Sequence, residues 1–154
     1  MTELRELYQE IILDHNKRPH NYRKIEHANH HLEGYNPLCG DRIGIYMLVE
    51  DNIVKDISFY GEGCAISKAS ASLMTDALKG KKIEEVDQIF EKFHNMVTSG
   101  LEEMVNTEEL GKLAVFHGVK EFPMRIKCST LAWHTMYAAL KGKAGYEEPD
   151  VKLG

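Results

Sequence analysis

The sequence predicts an α+β fold: a short antiparallel β-sheet of about three strands packed against a group of helices. Two observations carry that class. Apolar residues alternate at Ile43, Ile45, Met47 and Val49, and again at Ile57 and Phe59, the two-residue period of strands with one buried face. Beyond residue 64 the period lengthens, and Ile83, Val86, Ile89, Phe90 and Phe93 recur at the spacing of one helix face. The 154 residues, 43% of them apolar, suffice for one ordinary core, so a single domain over 1–154 is expected.

Leu4, Leu7, Tyr8, Ile11 and Ile12 share one face of a first helix from about Glu3 to Lys17, ended by Arg18-Pro19. Residues 20–36 are polar and without clear period, and 31–35 read as a short edge strand. A hairpin follows, turning at Asp51-Asn52. A plain two-residue loop would send its two apolar sets to opposite faces. A longer loop or a bulge, setting Ile45 opposite Phe59 and Met47 opposite Ile57, keeps them together. Cys64 to Leu78 reads as a helix ending at Gly80, and Ile83 to Met96 as another. Leu101, Met104, Val105, Leu110, Leu113 and Phe116 give a weaker helical pattern, and 118–123 reads as a break. The last helix is expected to begin near Cys128 and to bury Leu131, Trp133, Met136, Tyr137 and Leu140 before Gly142; 142–154 reads as a loose tail.

A formal charge of −5 argues against non-specific binding to nucleic acid or anionic membranes, which needs a surplus of Lys and Arg. No apolar run approaches the roughly 20 residues of a membrane span, and the charged N-terminus MTELRELYQE does not read as a signal peptide. The chain is therefore expected to be cytoplasmic. In that reducing compartment an odd set of three cysteines suits metal binding, nucleophilic chemistry or core packing better than disulfides.

Each cysteine stands at an element boundary instead of on an apolar stripe. Cys39 lies in the Pro/Gly loop NPLCGD, Cys64 between a strand and a helix, and Cys128 at the expected opening of the last helix. A helix start favours thiolate over thiol. The open end of the hairpin brings Cys39 and Asp41 near Cys64, leaving Cys128 to arrive by tertiary packing. Three thiolates and the Asp41 carboxylate make four ligands, the number that a tetrahedral zinc ion takes, and the harder oxygen suggests a site that opens. Arg125 and Lys127 either offset the negative excess or form a solvated basic edge. His30, His31, His94, His117 and His134 lack ligand spacing with any cysteine and read as solvated or ordinarily hydrogen-bonded. Trp133 and Tyr137 read as core, and Glu62 and Asp76 as candidates to orient the site.

NPLCGD, GEGCAIS and RIKCSTLAWHTM resemble, in order and spacing, the three cysteine motifs of the U-type iron-sulfur assembly proteins, the IscU/NifU/SufU superfamily. The resemblance runs from about Leu4 to Leu140 and is nearest to the SufU branch. Classical scaffolds of the IscU type typically carry a histidine where Lys127 stands, and they lack an extra segment placed here within about 97–120. The resemblance implies a SufU/IscU-like fold with zinc held by Cys39, Asp41, Cys64 and Cys128. It implies sulfur transfer from a SufS-type cysteine desulfurase to SufBCD-type machinery, with Cys39 as persulfide acceptor once a histidine of the desulfurase replaces it on the zinc. Two rival readings are a scaffold that carries a transient iron-sulfur cluster, and a docking module that activates the desulfurase without carrying sulfur.

Overall fold

The computed structural model describes residues 2–37, 39–99, 108–141 and 151–152. Helix α1 (Thr2–Lys17) stops at Arg18-Pro19 and packs on α2 (Ala65–Leu78), with Ile11 and Ile12 against the core. His15 is buried in that interface, and burial together with the neighbouring His20 pushes its imidazole below the ordinary range.

Strands β1 (His30–Asn36), β2 (Asp41–Glu50), β3 (Ile53–Glu62) and β4 (Val151–Lys152) form one sheet in the order β3-β2-β1-β4. β1, β2 and β3 are antiparallel neighbours, and β4 pairs parallel with β1 at Gly34 and Tyr35. Thus the segment read as an edge strand has a partner on each side over part of its length, and two residues of the segment read as a loose tail lie in the sheet. The rest of that tail lies outside the described residues, as do Leu101, Met104 and Val105.

In the hairpin Ile45 faces Phe59 and Met47 faces Ile57. The turn has only two residues: Asp51 and Asn52 take φ of 53° and 64°, the left-handed pair that suits a tight hairpin between twisted strands. A bulge corrects the face. Leu48 pairs with Asp56 and Val49 with Val54, so Lys55 is the extra residue that returns both apolar sets to one side. Ile43, Ile45, Met47, Ile57 and Phe59 are wholly buried there.

The helical layer comprises α2, α3 (Ile83–Thr98), a 3-10 segment (Glu108–Glu121) kinked at Gly111, and α4 (Pro123–Leu140). α4 begins five residues before the expected start. Pro123 occupies its first turn, where a missing N–H and a fixed φ suit a helix start, so the proline read as part of a break is the opening of the helix. Trp133 is fully buried, stacks on Phe93 at 4.4 Å between centroids, and donates its indole N–H to Ser70 Oγ at 3.1 Å. α4 also lies close on β1, where a Cβ on Gly34 would collide with Thr135 Oγ1. Among the described residues no helix is long and apolar enough to cross a membrane.

Candidate metal centre

The end of β1, the start of β2 and the exit of β3 lie side by side, with Asn36 opposite Asp41 and Arg42 opposite Glu62. Every strand-borne part of the site therefore sits at one end of the sheet. The β1–β2 turn holds Cys39: its N–H donates to the Asn36 carbonyl at 3.3 Å, and Gly40 takes φ of 71°. Asp41 is wholly buried, and its Oδ1 accepts the backbone N–H of Cys64 at 2.8 Å. Cys64 caps α2, its Sγ accepting the N–H of Ser67 at 3.5 Å, so this thiol sits at the positive end of a helix.

Cys128 comes from the other layer. It is buried in the second turn of α4, its Sγ 3.0 Å from Cys39 Sγ, and the Asn36 amide donates toward it at 3.8 Å. The earlier helix start removes the dipole argument for this residue, because the effect fades beyond the first turn. Burial pushes the Cys128 thiol far up, and Cys39, Cys64 and Asp41 push it further, since a second and third negative charge would have to share one small volume.

Ligand atoms of Cys39, Asp41 and Cys128 all lie within 4.8 Å of one another. Cys64 adjoins them through Asp41, its Sγ 4.0 Å from Oδ2. The Sγ–Sγ distance of 3.0 Å and the Sγ–Oδ2 distance of 4.0 Å lie on either side of the edges, about 3.5–3.8 Å, of a tetrahedron with zinc–oxygen bonds near 2.0 Å and zinc–sulfur bonds near 2.3 Å. Two soft donors and one hard donor, crowded and mutually repelling when ionised, with the Cys64 thiol beside the carboxylate as a third soft donor, fit a divalent ion of the zinc type.

Of the other sequence candidates, Glu62 lies at the same end of the sheet, at the exit of β3 opposite Arg42. Arg125 is exposed and stacks its guanidinium over the Phe122 ring at 4.9 Å. Asp76 does not orient the centre, since the twelve residue steps along α2 from Cys64 to it span about 18 Å. It meets His20 instead. His30 Nδ1 lies 2.9 Å from the Ala139 carbonyl, His31 stacks on Tyr46, and His94 and His134 pair at 5.5 Å. A second convergence, of His15, His20 and Asp76, has no spacing signature, because its two histidines stand five apart across a proline.

A small sheet covered on one face by helices, with three thiols and a buried carboxylate gathered at its end, defines an α+β protein built around a thiol–carboxylate centre. The chain belongs to the NifU-like N-terminal domain family, whose model matches residues 7–141. It is 40% identical over 157 residues to the iron-sulfur cluster assembly scaffold protein IscU of Streptococcus pyogenes serotype M1, covering 100% of this chain and 97% of that protein. It is equally 40% identical, over 139 residues, to the zinc-dependent sulfurtransferase SufU of Bacillus subtilis, covering 90% and 92%. The fold matches a solved SufU of Fervidobacterium islandicum AW-1, described as a candidate assembly scaffold for the SUF system, with a TM-score of 0.78 at 37% identity, over 85% of this chain and 94% of that one.

Proposed function

We propose that the chain acts in iron-sulfur cluster assembly as a zinc-containing sulfur carrier, with Cys39, Asp41, Cys64 and Cys128 as ligands and Cys39 as the sulfur acceptor. The observation that carries the reading is the 3.0 Å approach of Cys39 to Cys128 beside the buried Asp41. Zinc, when bound, supplies ionisation of the thiols at neutral pH and shields them from oxidation.

The rest of the chemistry belongs to the chain. Cys39 is half-buried in a turn, whereas Cys128 is buried on a helix and Cys64 is tied to the start of α2. Cys39 is therefore the thiol that an incoming persulfide reaches with the least rearrangement. Its thiolate attacks the terminal sulfur of a cysteine persulfide on a SufS-type desulfurase. A sulfur–sulfur bond forms at Cys39 as the donor's bond breaks, the donor leaves as thiolate, and no external oxidant is consumed. The carrier then yields that sulfur to SufBCD-type machinery by the same exchange.

A scaffold reading, in which the same thiols hold a transient iron-sulfur cluster, is favoured by the equal identity to the Streptococcus relative. Metal analysis of protein purified from cells separates the two. About one zinc per chain in a colourless protein, with a mass gain of one sulfur on Cys39 after incubation with desulfurase and cysteine, supports the carrier. A brown protein that delivers clusters overturns it. A docking module would still stimulate the desulfurase as Cys39→Ala.

A further inference from the structure

We propose that His15, His20 and Asp76 form a second metal site, for one divalent first-row ion of the zinc, cobalt or nickel kind, which clamps the exit of α1 onto α2. Their ligand atoms lie within 4.8 Å of one another, with the two imidazole centroids 4.4 Å apart. Two imidazoles and one carboxylate are the donors that these borderline ions prefer, and three protein ligands leave room for water to complete the shell.

The surroundings hold each ligand in place. His15 is buried, and its Nδ1 lies 2.7 Å from Ser72 Oγ, which leaves Nε2 as the free ring nitrogen. A ligating histidine commonly has its other ring nitrogen hydrogen-bonded in this way. The same hydroxyl accepts the backbone N–H of His20 at 2.7 Å, so one serine positions both histidines. Asp76 Oδ1 accepts from the Asn21 amide at 3.2 Å, and Oδ2 faces His20 Nδ1 at 2.5 Å. The amide also donates to Thr75 Oγ1 at 2.9 Å. His20 and Asp76 side chains are 50% and 43% exposed, so an ion can enter from solvent. Nearby charge is mixed: Asp14 joins Asp76 in favouring a cation near His15, and Lys112 opposes it.

Without a metal, the contact is a hydrogen-bonded His20–Asp76 pair, and the two arrangements are separable. Untagged protein carrying one equivalent of zinc on its cysteines is titrated with cobalt(II). One further ion is expected, with weak visible bands and none of the near-ultraviolet charge-transfer absorption that thiolate ligation gives. His20→Ala and Asp76→Asn should each weaken its binding at least tenfold. In the wild type, paramagnetic broadening of NMR signals should begin at residues 15–21 and 72–76, a readout that needs no variant. Absence of a further ion at about 100 µM cobalt, insensitivity to His20→Ala, or broadening that begins around His94 and His134 would each overturn the proposal.

Discussion

The sulfur atoms of Cys39 and Cys128 lie 3.0 Å apart across 89 residues of chain, whereas Cys64 meets the Asp41 carboxylate. The three thiols are therefore not equivalent. In chelator-treated protein a thiol oxidant such as diamide should join Cys39 to Cys128 and leave Cys64 as the alkylatable thiol, since exchange follows proximity and access. Peptide mapping after alkylation reads the pairing. Preloading with zinc should slow the reaction at least tenfold, and a dominant Cys39–Cys64 bridge would contradict the geometry.

Asp41 has two tasks that substitution can separate. Its Oδ1 accepts the Cys64 N–H at 2.8 Å, and its charge is one of four candidate ligands. Asp41→Ala should lower stability by about 1–2 kcal/mol, the usual effect of leaving a partly buried donor unpaired, and weaken zinc binding as well. Asp41→Asn keeps an acceptor for the N–H, so it should recover most of the stability while zinc binding stays weak. Chemical denaturation and competition with a zinc-responsive dye check the two separately. Equal zinc affinity in Asp41→Asn and wild type would remove the carboxylate from the ligand set.

Gly63 is the spacer between those groups. A Cβ there would collide with Ser67 Oγ and stand 2.8 Å from Asp41 Oδ1. Both contacts are too close to keep, so the Ser67 hydroxyl and the Asp41 carboxylate must both give way. Gly63→Ala is therefore expected to weaken zinc binding at least tenfold with a far smaller change in the rest of the fold. Near-ultraviolet circular dichroism of buried Trp133 should stay as in the wild type, and its loss would mean general unfolding instead.

Much of this was legible in the residues. The hairpin register follows from two apolar sets that must share a face, and the bulge at Lys55 is how the chain reconciles them with a two-residue turn. The nearness of Asp41 to Cys64 follows from hairpin geometry alone. The start of α4 is hidden because Phe122, Pro123, Met124 and Arg125 are exposed, so the first turn carries no apolar stripe and only the proline marks it. β1 is obscured by its polar residues, and β4 by being two residues long. Both are set by pairing with the sheet, which no local pattern encodes. The same holds for Asp76, whose partner His20 lies 56 residues away.

Asp56 gives a test at the sheet surface, away from the cysteine centre. Burial alone would raise its pKa. The Arg23 guanidinium at 2.7 Å, the Lys79 ammonium at 3.5 Å and the Ile57 N–H at 2.9 Å outweigh that and hold the carboxyl below its ordinary value of 3.8. The folded state thus binds fewer protons than the unfolded state in the window below that value. The contribution is complete above about pH 4 and is lost as pH falls through the folded pKa. Asp56→Asn should therefore be less stable than wild type by about 1 kcal/mol at pH 7, the scale of a partly exposed ion-pair network. The gap should narrow on acidification to pH 3. Urea titrations of both proteins at the two pH values read it, and acid release of zinc cancels because both carry the same cysteine centre. A gap that persists undiminished at pH 3 would show that Asp56 acts through packing or neutral hydrogen bonds instead of its charge.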